Sequence, residues 1–146
     1  VHADYTVKSG PQRAKDTLGE KEFDGIITNG GRVVQVNVWR PIKGPVESSP
    51  LALASAASIP EDDLIATDQR FPDRVGEIYQ LAFGKEHEWY YAPGMMSNEV
   101  ILIKGWDSLQ DGRAQFTPHG AFEHPSETPR SKPRESIETR TYLVFN

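Results

Sequence analysis

The sequence predicts a mainly β fold, an antiparallel sandwich or jelly roll that forms a single domain over residues 1–146. Many short apolar runs are separated by turn residues, and only one segment has weak helical periodicity. The 11 prolines and 12 glycines are too many for a helix bundle, and they are dispersed among the apolar runs. With 37% hydrophobic and 25% charged residues, the chain has the composition of an ordinary globular domain.

The beginning of the chain contains one strand end and one helical segment. Residues 1–10 alternate well enough to predict the end of a strand that stops at Ser9-Gly10-Pro11. Residues 13–27 carry apolar side chains among charges, which predicts one short amphipathic helix or a covering loop. Asn29-Gly30-Gly31 then ends this segment.

The clearest strand covers residues 32–39, RVVQVNVW. Because side chains alternate along a strand, three valines occupy one face while Gln35, Asn37 and Trp39 occupy the other. Pro41 closes the strand, since proline has no amide to donate to a neighbour. Trp39 is interpreted either as part of the site or as a packed core indole with a satisfied amide beside it.

Further strands complete the predicted fold. They are expected at residues 77–83, 88–92, 99–106, 114–119 and 136–145. The runs at 51–59 and 63–67 are short and ambiguous. The aromatic residues 89–91 are expected to belong to the core more readily than to a substrate wall.

Composition excludes several classes of function. Zero cysteines exclude disulfides, thiolate metal sites and cysteine nucleophiles, so any metal must be bound by imidazole and carboxylate. A formal charge of 16 − 21 = −5 without a basic stripe argues against nucleic-acid binding. No apolar run is long enough to span a bilayer and no secretory leader is visible, which predicts a cytoplasmic protein without a membrane partner.

The search for metal ligands is short because the chain has only four histidines. His2 and Asp4 form an H-x-D step, and period-two geometry places both side chains on one strand face. A third ligand must come from elsewhere: His119, at the end of a predicted strand, is preferred over His124 in a proline-bounded loop. His87 is expected at the surface or behind the ligands. Two histidines and one carboxylate form the ligand set of non-haem Fe(II) oxygenases.

A candidate anion site lies near the end of the chain. Arg134 and Ser136 are two residues apart and therefore share one strand face. A guanidinium fork beside a hydroxyl suits a carboxylate. Arg130, in a Ser/Pro-rich loop, and Arg140, which shares the parity of Arg134, are the alternatives. The order H-x-D, distal His, R-x-S is the one expected for iron and 2-oxoglutarate.

The position of the H-x-D step at the first residues predicts that further polypeptide packs against it. A strand at the first residues needs a neighbour to hold it. We therefore expect a preceding amino-terminal segment, or a second chain, to complete the fold.

Further blocks of sequence complete a family pattern. They are His2-Ala3-Asp4, Asn37-Val38-Trp39-Arg40-Pro41-Ile42, Gly44-Pro45-Val46, Pro50-Leu51-Ala52, residues 87–91 (HEWYY), Ile103-Lys104, Asp107-Ser108, Thr117-Pro118-His119 through Phe122, and Pro133-Arg134-Glu135-Ser136-Ile137-Glu138-Thr139-Arg140. Together they resemble the double-stranded β-helix core of the 2-oxoglutarate/Fe(II)-dependent dioxygenases. The similarity is closest to the hydroxylase/desaturase family that includes gibberellin desaturase and cephem methoxylase-related proteins. It covers nearly the whole chain but only the carboxyl-terminal half of that family, and Ala54-Ser55 replaces the family's Cys-Asp step.

The resemblance implies a jelly-roll core with one short helix that lacks its amino-terminal portion. It implies that His2, Asp4 and His119 hold Fe(II), while Arg134 and Ser136 bind the distal carboxylate of 2-oxoglutarate. It also implies hydroxylation or desaturation of a small natural-product substrate at the expense of O2. Two alternatives stay open: a non-catalytic or truncated jelly-roll binding module, and a cupin-like enzyme that uses iron without a keto acid.

Overall fold

The computed structural model describes residues 1–146 as two antiparallel sheets with two helices on the outside. The strands are β1 (His2–Ala3), β2 (Arg32–Pro41), β3 (Leu51–Ala54), β4 (Leu64–Arg70), β5 (Val75–Leu81), β6 (Trp89–Tyr91), β7 (Ile101–Asp107), β8 (His119–Ala121) and β9 (Ser136–Phe145). The helices are α1 (Ser9–Leu18) and α2 (Glu20–Thr28). None of the helices is both long enough and apolar enough to cross a membrane.

The strand order shows how distant parts of the chain meet. One sheet has six strands in the order β4-β5-β1-β8-β3-β6, and the other has three in the order β7-β2-β9. All the strand pairs are antiparallel. This topology confirms the predicted mainly β, double-stranded β-helix class. It places β8, late in the sequence, beside the first strand.

The predicted single helix is two helices, and the first begins earlier than expected. Gly19 separates them with a φ of 93°, a backbone conformation that favours glycine. Ser9-Gly10-Pro11 starts α1 rather than ending a strand, because proline is tolerated in the first helical turn. The Ser9 hydroxyl also donates a hydrogen bond to the Glu77 carbonyl at 2.6 Å, which anchors this helix start to β5.

Two clusters of apolar side chains form the core. The first lies under the helices and contains Tyr5, Ala14, Phe23, Val33 and Trp106. The second lies between the sheets and contains Trp39, Leu51, Met95 and Ile103. Trp39 is therefore the packed indole that the sequence allowed.

The central strand β2 turns its polar face inward. Gln35, Asn37 and Trp39 are almost completely buried, whereas Val36 and Val38 on the opposite face are half-buried. β7 and β9 pair with the two edges of β2, so β2 is the central strand of its sheet. Its buried face is directed toward the six-stranded sheet. Polar groups of β2 therefore reach the inner space of the fold.

Candidate metal centre

The structure brings His2, Asp4 and His119 together as one cluster, the His–Asp–His cluster. One potential ligand atom from each side chain lies within 4.8 Å of the others. His2 and His119 are Cα partners in the antiparallel β1–β8 pair, so both imidazoles project from the same face, with ring centroids 4.7 Å apart. Asp4 lies in the bend after β1, with its Oδ1 3.5 Å from His2 Nε2. Metal binding by these three residues stays a prediction.

His119 is oriented by a hydrogen bond behind its ring. Its Nδ1 lies 3.0 Å from the Thr117 carbonyl oxygen. A carbonyl oxygen can only accept, so Nδ1 carries the proton and donates it. The Nε2 lone pair is then available for a cation, which is the usual arrangement of a metal-binding histidine. The expected strand at residues 114–119 does not form; His119 begins the short strand β8 instead.

Asp4 is buried and held as an anion. Asn37 Nδ2 donates to its Oδ2 at 2.7 Å, and Arg140 Nη2 donates to its Oδ1 at 3.3 Å. Burial raises the pKa of Asp4, but the hydrogen bond with His2 and the charges of His119 and Arg140 outweigh it, and the pKa falls below its ordinary value of 3.8. An ionised carboxylate beside two imidazoles is the ligand set of a non-haem Fe(II) centre, and these residues fit that metal.

Arg134 is a half-buried cation without an acidic partner. Its Nη1 donates a hydrogen bond to the Ser49 carbonyl, and its guanidinium lies 5.4 Å from the centre of the Trp39 ring. Burial lowers the pKa of Arg134, and no carboxylate offsets this effect. Ser136 follows two residues later as the first residue of β9, opposite Pro41. The predicted anion site is therefore a desolvated guanidinium at the start of β9.

Arg140 contacts a residue of the His–Asp–His cluster, which the sequence did not indicate. It is the Cα partner of Asn37, and it donates to Asp4 Oδ1 at 3.3 Å and to the Tyr5 hydroxyl at 3.4 Å. Its Nε also donates to Glu138 at 3.3 Å, so Arg140 contacts Asp4 and Glu138 at the same time. Arg130 is exposed in a loop.

The other histidines lie in different contacts. His124 Nε2 is 2.9 Å from the Tyr91 hydroxyl and Nδ1 is 2.7 Å from Ser126 Oγ, so this residue is not part of the cluster. The His87 side chain is only 3% exposed and lies 2.8 Å from Asp63, so its contact is with Asp63, neither at the surface nor behind the candidate ligands as predicted. The aromatic residues of β6 are exposed rather than buried in the core.

One face of the six-stranded sheet continues outward from the cluster. Successive Cα partners form a row across all six strands, and side chains of such partners project to one side. The row reads Ile65, Gln80, His2, His119, Leu53 and Tyr90. A groove of about 540 Å³ also opens beside Asp4 and Arg140, with α1 and the β4–β5 hairpin among its walls.

Sequence reasoning missed Gln35, which contacts Asn37 behind the cluster. Alternation along β2 already predicts that both amides lie on one face. The residue pattern of β2 does not show that this face is directed toward Asp4.

A jelly roll that gathers two histidines and one aspartate at one place defines the class of this protein: a double-stranded β-helix with a candidate metal centre. Residues 1–145 match the family described as Oxidoreductase/YMDC permease-like domain, and the chain belongs to this family. The resemblance to the hydroxylase/desaturase family is confirmed by the named relatives.

Three comparisons illustrate the similarity. Hydroxylase/desaturase CTB9 of Cercospora beticola is 33% identical over 99% of this chain and 46% of its own length. Hydroxylase/desaturase asaB of Aspergillus flavus is 37% identical over 90% of this chain and 63% of its own length. The solved structure of the iron and alpha-ketoglutarate-dependent endoperoxidase NvfI superposes with a TM-score of 0.86 at 31% identity, covering 99% of this chain and 52% of that one. The chain thus spans about half the length of most relatives it matches.

Proposed function

We propose that this chain is the iron- and 2-oxoglutarate-binding part of an oxygenase that hydroxylates or desaturates a small natural product. The observation that carries the proposal is the His–Asp–His cluster, whose potential ligand atoms lie within 4.8 Å of one another on a jelly-roll scaffold. Relatives named hydroxylase/desaturase, or named as Fe(II)/2-oxoglutarate-dependent dioxygenases, support it over nearly the whole chain. We keep the expected cytoplasmic location, and completion of the fold by further polypeptide, as predictions.

Each residue of the site has a distinct role in this proposal. His2, Asp4 and His119 would hold Fe(II). Arg134 would pair with the distal carboxylate of 2-oxoglutarate, assisted by the Ser136 hydroxyl. When bound, iron and the keto acid supply the oxidising chemistry, which converts 2-oxoglutarate and O2 to succinate and CO2 while a substrate C–H bond is oxidised.

The chain's own contribution is positioning and exclusion of water. The apolar cluster of Trp39, Leu51 and Ile103 keeps water away from the inner space beside Arg134. Leu53 and Gln80 flank the two histidines in the cross-strand row, so a substrate above the cluster would rest against them. Such contacts would aim one C–H bond at the centre.

Anaerobic titration tests the metal and keto-acid site. Adding Fe(II) and 2-oxoglutarate to the protein is expected to produce a weak visible charge-transfer band. The band should vanish in His119→Ala and persist in His124→Ala, a matched histidine change outside the cluster. A folded wild-type protein without the band would contradict the proposal.

Turnover separates an oxygenase from a binding module. With Fe(II), 2-oxoglutarate and O2, the proposed enzyme releases succinate, and His119→Ala should release none above the level of free iron. Binding of both cofactors without succinate release would instead favour the non-catalytic jelly-roll module.

A further inference from the structure

The polar face of β2 forms a buried chain of hydrogen bonds that ends on Asp4. Asn37 Nδ2 donates to Asp4 Oδ2 at 2.7 Å, and Gln35 Nε2 donates to Asn37 Oδ1 at 2.5 Å. Asn37 is 0% exposed and Gln35 is 1% exposed. At the far end, Gln35 Oε1 is buried without a hydrogen-bond partner. We call Asn37 and Gln35 the amide chain.

The charge of Asp4 sets the direction of the amide chain. An ionised carboxylate can only accept, so Asn37 must turn its NH2 group toward Asp4 and its oxygen toward Gln35. Gln35 must then present its own NH2 group to Asn37, which leaves Oε1 as the terminal atom. Reversing either amide would place two acceptor oxygens against each other. The unsatisfied Oε1 is therefore the cost of orienting both amides toward the anion.

Gly105 provides the space in which the amide chain ends. A Cβ atom at Gly105 would clash with Gln35 Oε1, so no larger residue fits without displacing this amide. The β2–β7 register also shifts between Gln35 and Val36, next to this point. Gln35 Oε1 therefore occupies the space that a side chain at position 105 would fill, and the amide of Gln35 depends on Gly105 for this position.

We propose that the amide chain positions Asp4 as a ligand through one oxygen, an inference that rests on the metal site of the proposed function. Asn37 occupies Oδ2 with a short, buried hydrogen bond, whereas Oδ1 faces His2 Nε2 at 3.5 Å. Arg140 also reaches Oδ1, but at 3.3 Å from a half-exposed side chain, and a carboxylate oxygen can accept a hydrogen bond and bind a metal together. An aspartate that binds through one oxygen would leave room at the metal for the keto acid and O2.

Metal binding without turnover tests this role. Asn37→Leu keeps the approximate volume but frees Oδ2, and loss of such a supporting partner typically weakens metal affinity about 10- to 100-fold. We expect that weakening for Mn(II) measured by calorimetry, together with an altered visible spectrum of bound Co(II), because the aspartate can then bind through both oxygens. Thermal unfolding of the metal-free variant reports whether the fold is intact.

Two further variants keep the test decisive if Asn37→Leu fails to fold. Gln35→Met removes the donor to Asn37 while leaving the Asn37–Asp4 contact in place, and Gly105→Ala displaces Gln35 without touching the cluster. Both are expected to weaken Mn(II) binding severalfold and to change the Co(II) spectrum in the same direction. The matched controls are Gln115→Met, whose amide donates to the Asp107 carbonyl, and Gly25→Ala, whose added Cβ meets nothing within 4 Å.

The outcomes distinguish this inference from the proposed function. Variants of the amide chain that bind Mn(II) within twofold of the wild type, with an unchanged Co(II) spectrum, would overturn the positioning role while leaving the metal site intact. A wild-type protein that binds neither Mn(II) nor Co(II) would overturn both proposals. Weaker Mn(II) binding in the variants of the amide chain, with Mn(II) binding of the control variants unchanged, would support the positioning role.

Discussion

Arg134, just before β9, and Arg140, within β9, differ in the acidic groups around them. Arg140 already has Asp4 and Glu138 beside it, so its charge is largely compensated within the protein. Arg134 has only a carbonyl oxygen and the face of Trp39, and its desolvation is not balanced by any acidic side chain. A desolvated guanidinium without an acidic partner is stabilised most when a carboxylate binds to it. This contrast favours Arg134 as the group that binds the keto acid.

Replacing these arginines separately tests the assignment. A hydrogen bond to a charged group contributes about 1.5–3 kcal/mol, so Arg134→Ala should raise the KM for 2-oxoglutarate by about tenfold to a hundredfold. Arg134→Lys should recover only part of this loss, because lysine keeps the charge but not the fork. Succinate formation measured against 2-oxoglutarate concentration gives KM, with exposed Arg130→Ala as the control. A normal KM in Arg134→Ala and a raised KM in Arg140→Ala would assign the keto acid to Arg140 instead.

Residue types indicated the proposed metal ligands but not the side chains that support them. His2, Asp4 and His119 could be found because few side chains bind iron in a chain without cysteine and because their order resembles a known family. Gln35 and Gly105 have no such signal: an amide and a glycine occur in many strands. Their importance arises only when the sheets face each other and Asn37 meets Asp4.

At the scale of elements, the helical segment shows how a single glycine divides a predicted helix. Gly19 adopts a φ of 93° and a ψ of 135°, a conformation essentially reserved for glycine. Gly25, in contrast, lies inside α2 and an added Cβ there meets nothing within 4 Å. The two glycines therefore have opposite expected effects on stability.

Alanine at each position provides the test. Gly19→Ala should lower the free energy of unfolding by about 1–3 kcal/mol because the new residue is strained. Gly25→Ala should raise it by about 0.5–1 kcal/mol, the difference in helix propensity between the two residues. Urea unfolding followed by circular dichroism measures both changes. Equal effects at the two positions would show that α1 and α2 behave as one continuous helix.

Elements with strong alternation were predictable, whereas elements fixed by distant contacts were not. The strand from Arg32 and the one from Ser136 to Phe145 follow their patterns closely. The start of α1 was missed because Ser9 is held by Glu77, far away in sequence. Residues 114–118 looked like a strand but form no regular ladder, because the Thr117 amide donates to Lys104 of β7 whereas the Pro118 carbonyl accepts from Ala54 of β3.

At the scale of the whole molecule, the three-stranded sheet is held together by a buried ion pair at one end. Asp107, the last residue of β7, accepts hydrogen bonds from Arg32 on β2, from Lys104 on its own strand and from the Leu109 amide. The Asp107 side chain is only 2% exposed. A buried carboxylate with three donors stabilises the junction of β2 and β7 only while it is ionised.

Acid should therefore weaken the fold over a defined pH range. Burial raises the pKa of Asp107, but its hydrogen bonds with Arg32, Leu109 and Lys104 lower it from 3.8 to about 2. Because the pKa of Asp107 is depressed in the folded state, its ionised carboxylate stabilises the fold fully above about pH 4, and this stabilisation is lost as the pH falls toward 2. The difference between the folded and the ordinary pKa corresponds to roughly 2 kcal/mol of unfolding free energy. Urea unfolding between pH 6 and pH 2 should show Asp107→Asn to be less stable than the wild type at pH 6, with the difference shrinking toward pH 2. The surface change Asp68→Asn serves as the control, and an Asp107→Asn protein whose stability parallels the wild type at every pH would contradict this account.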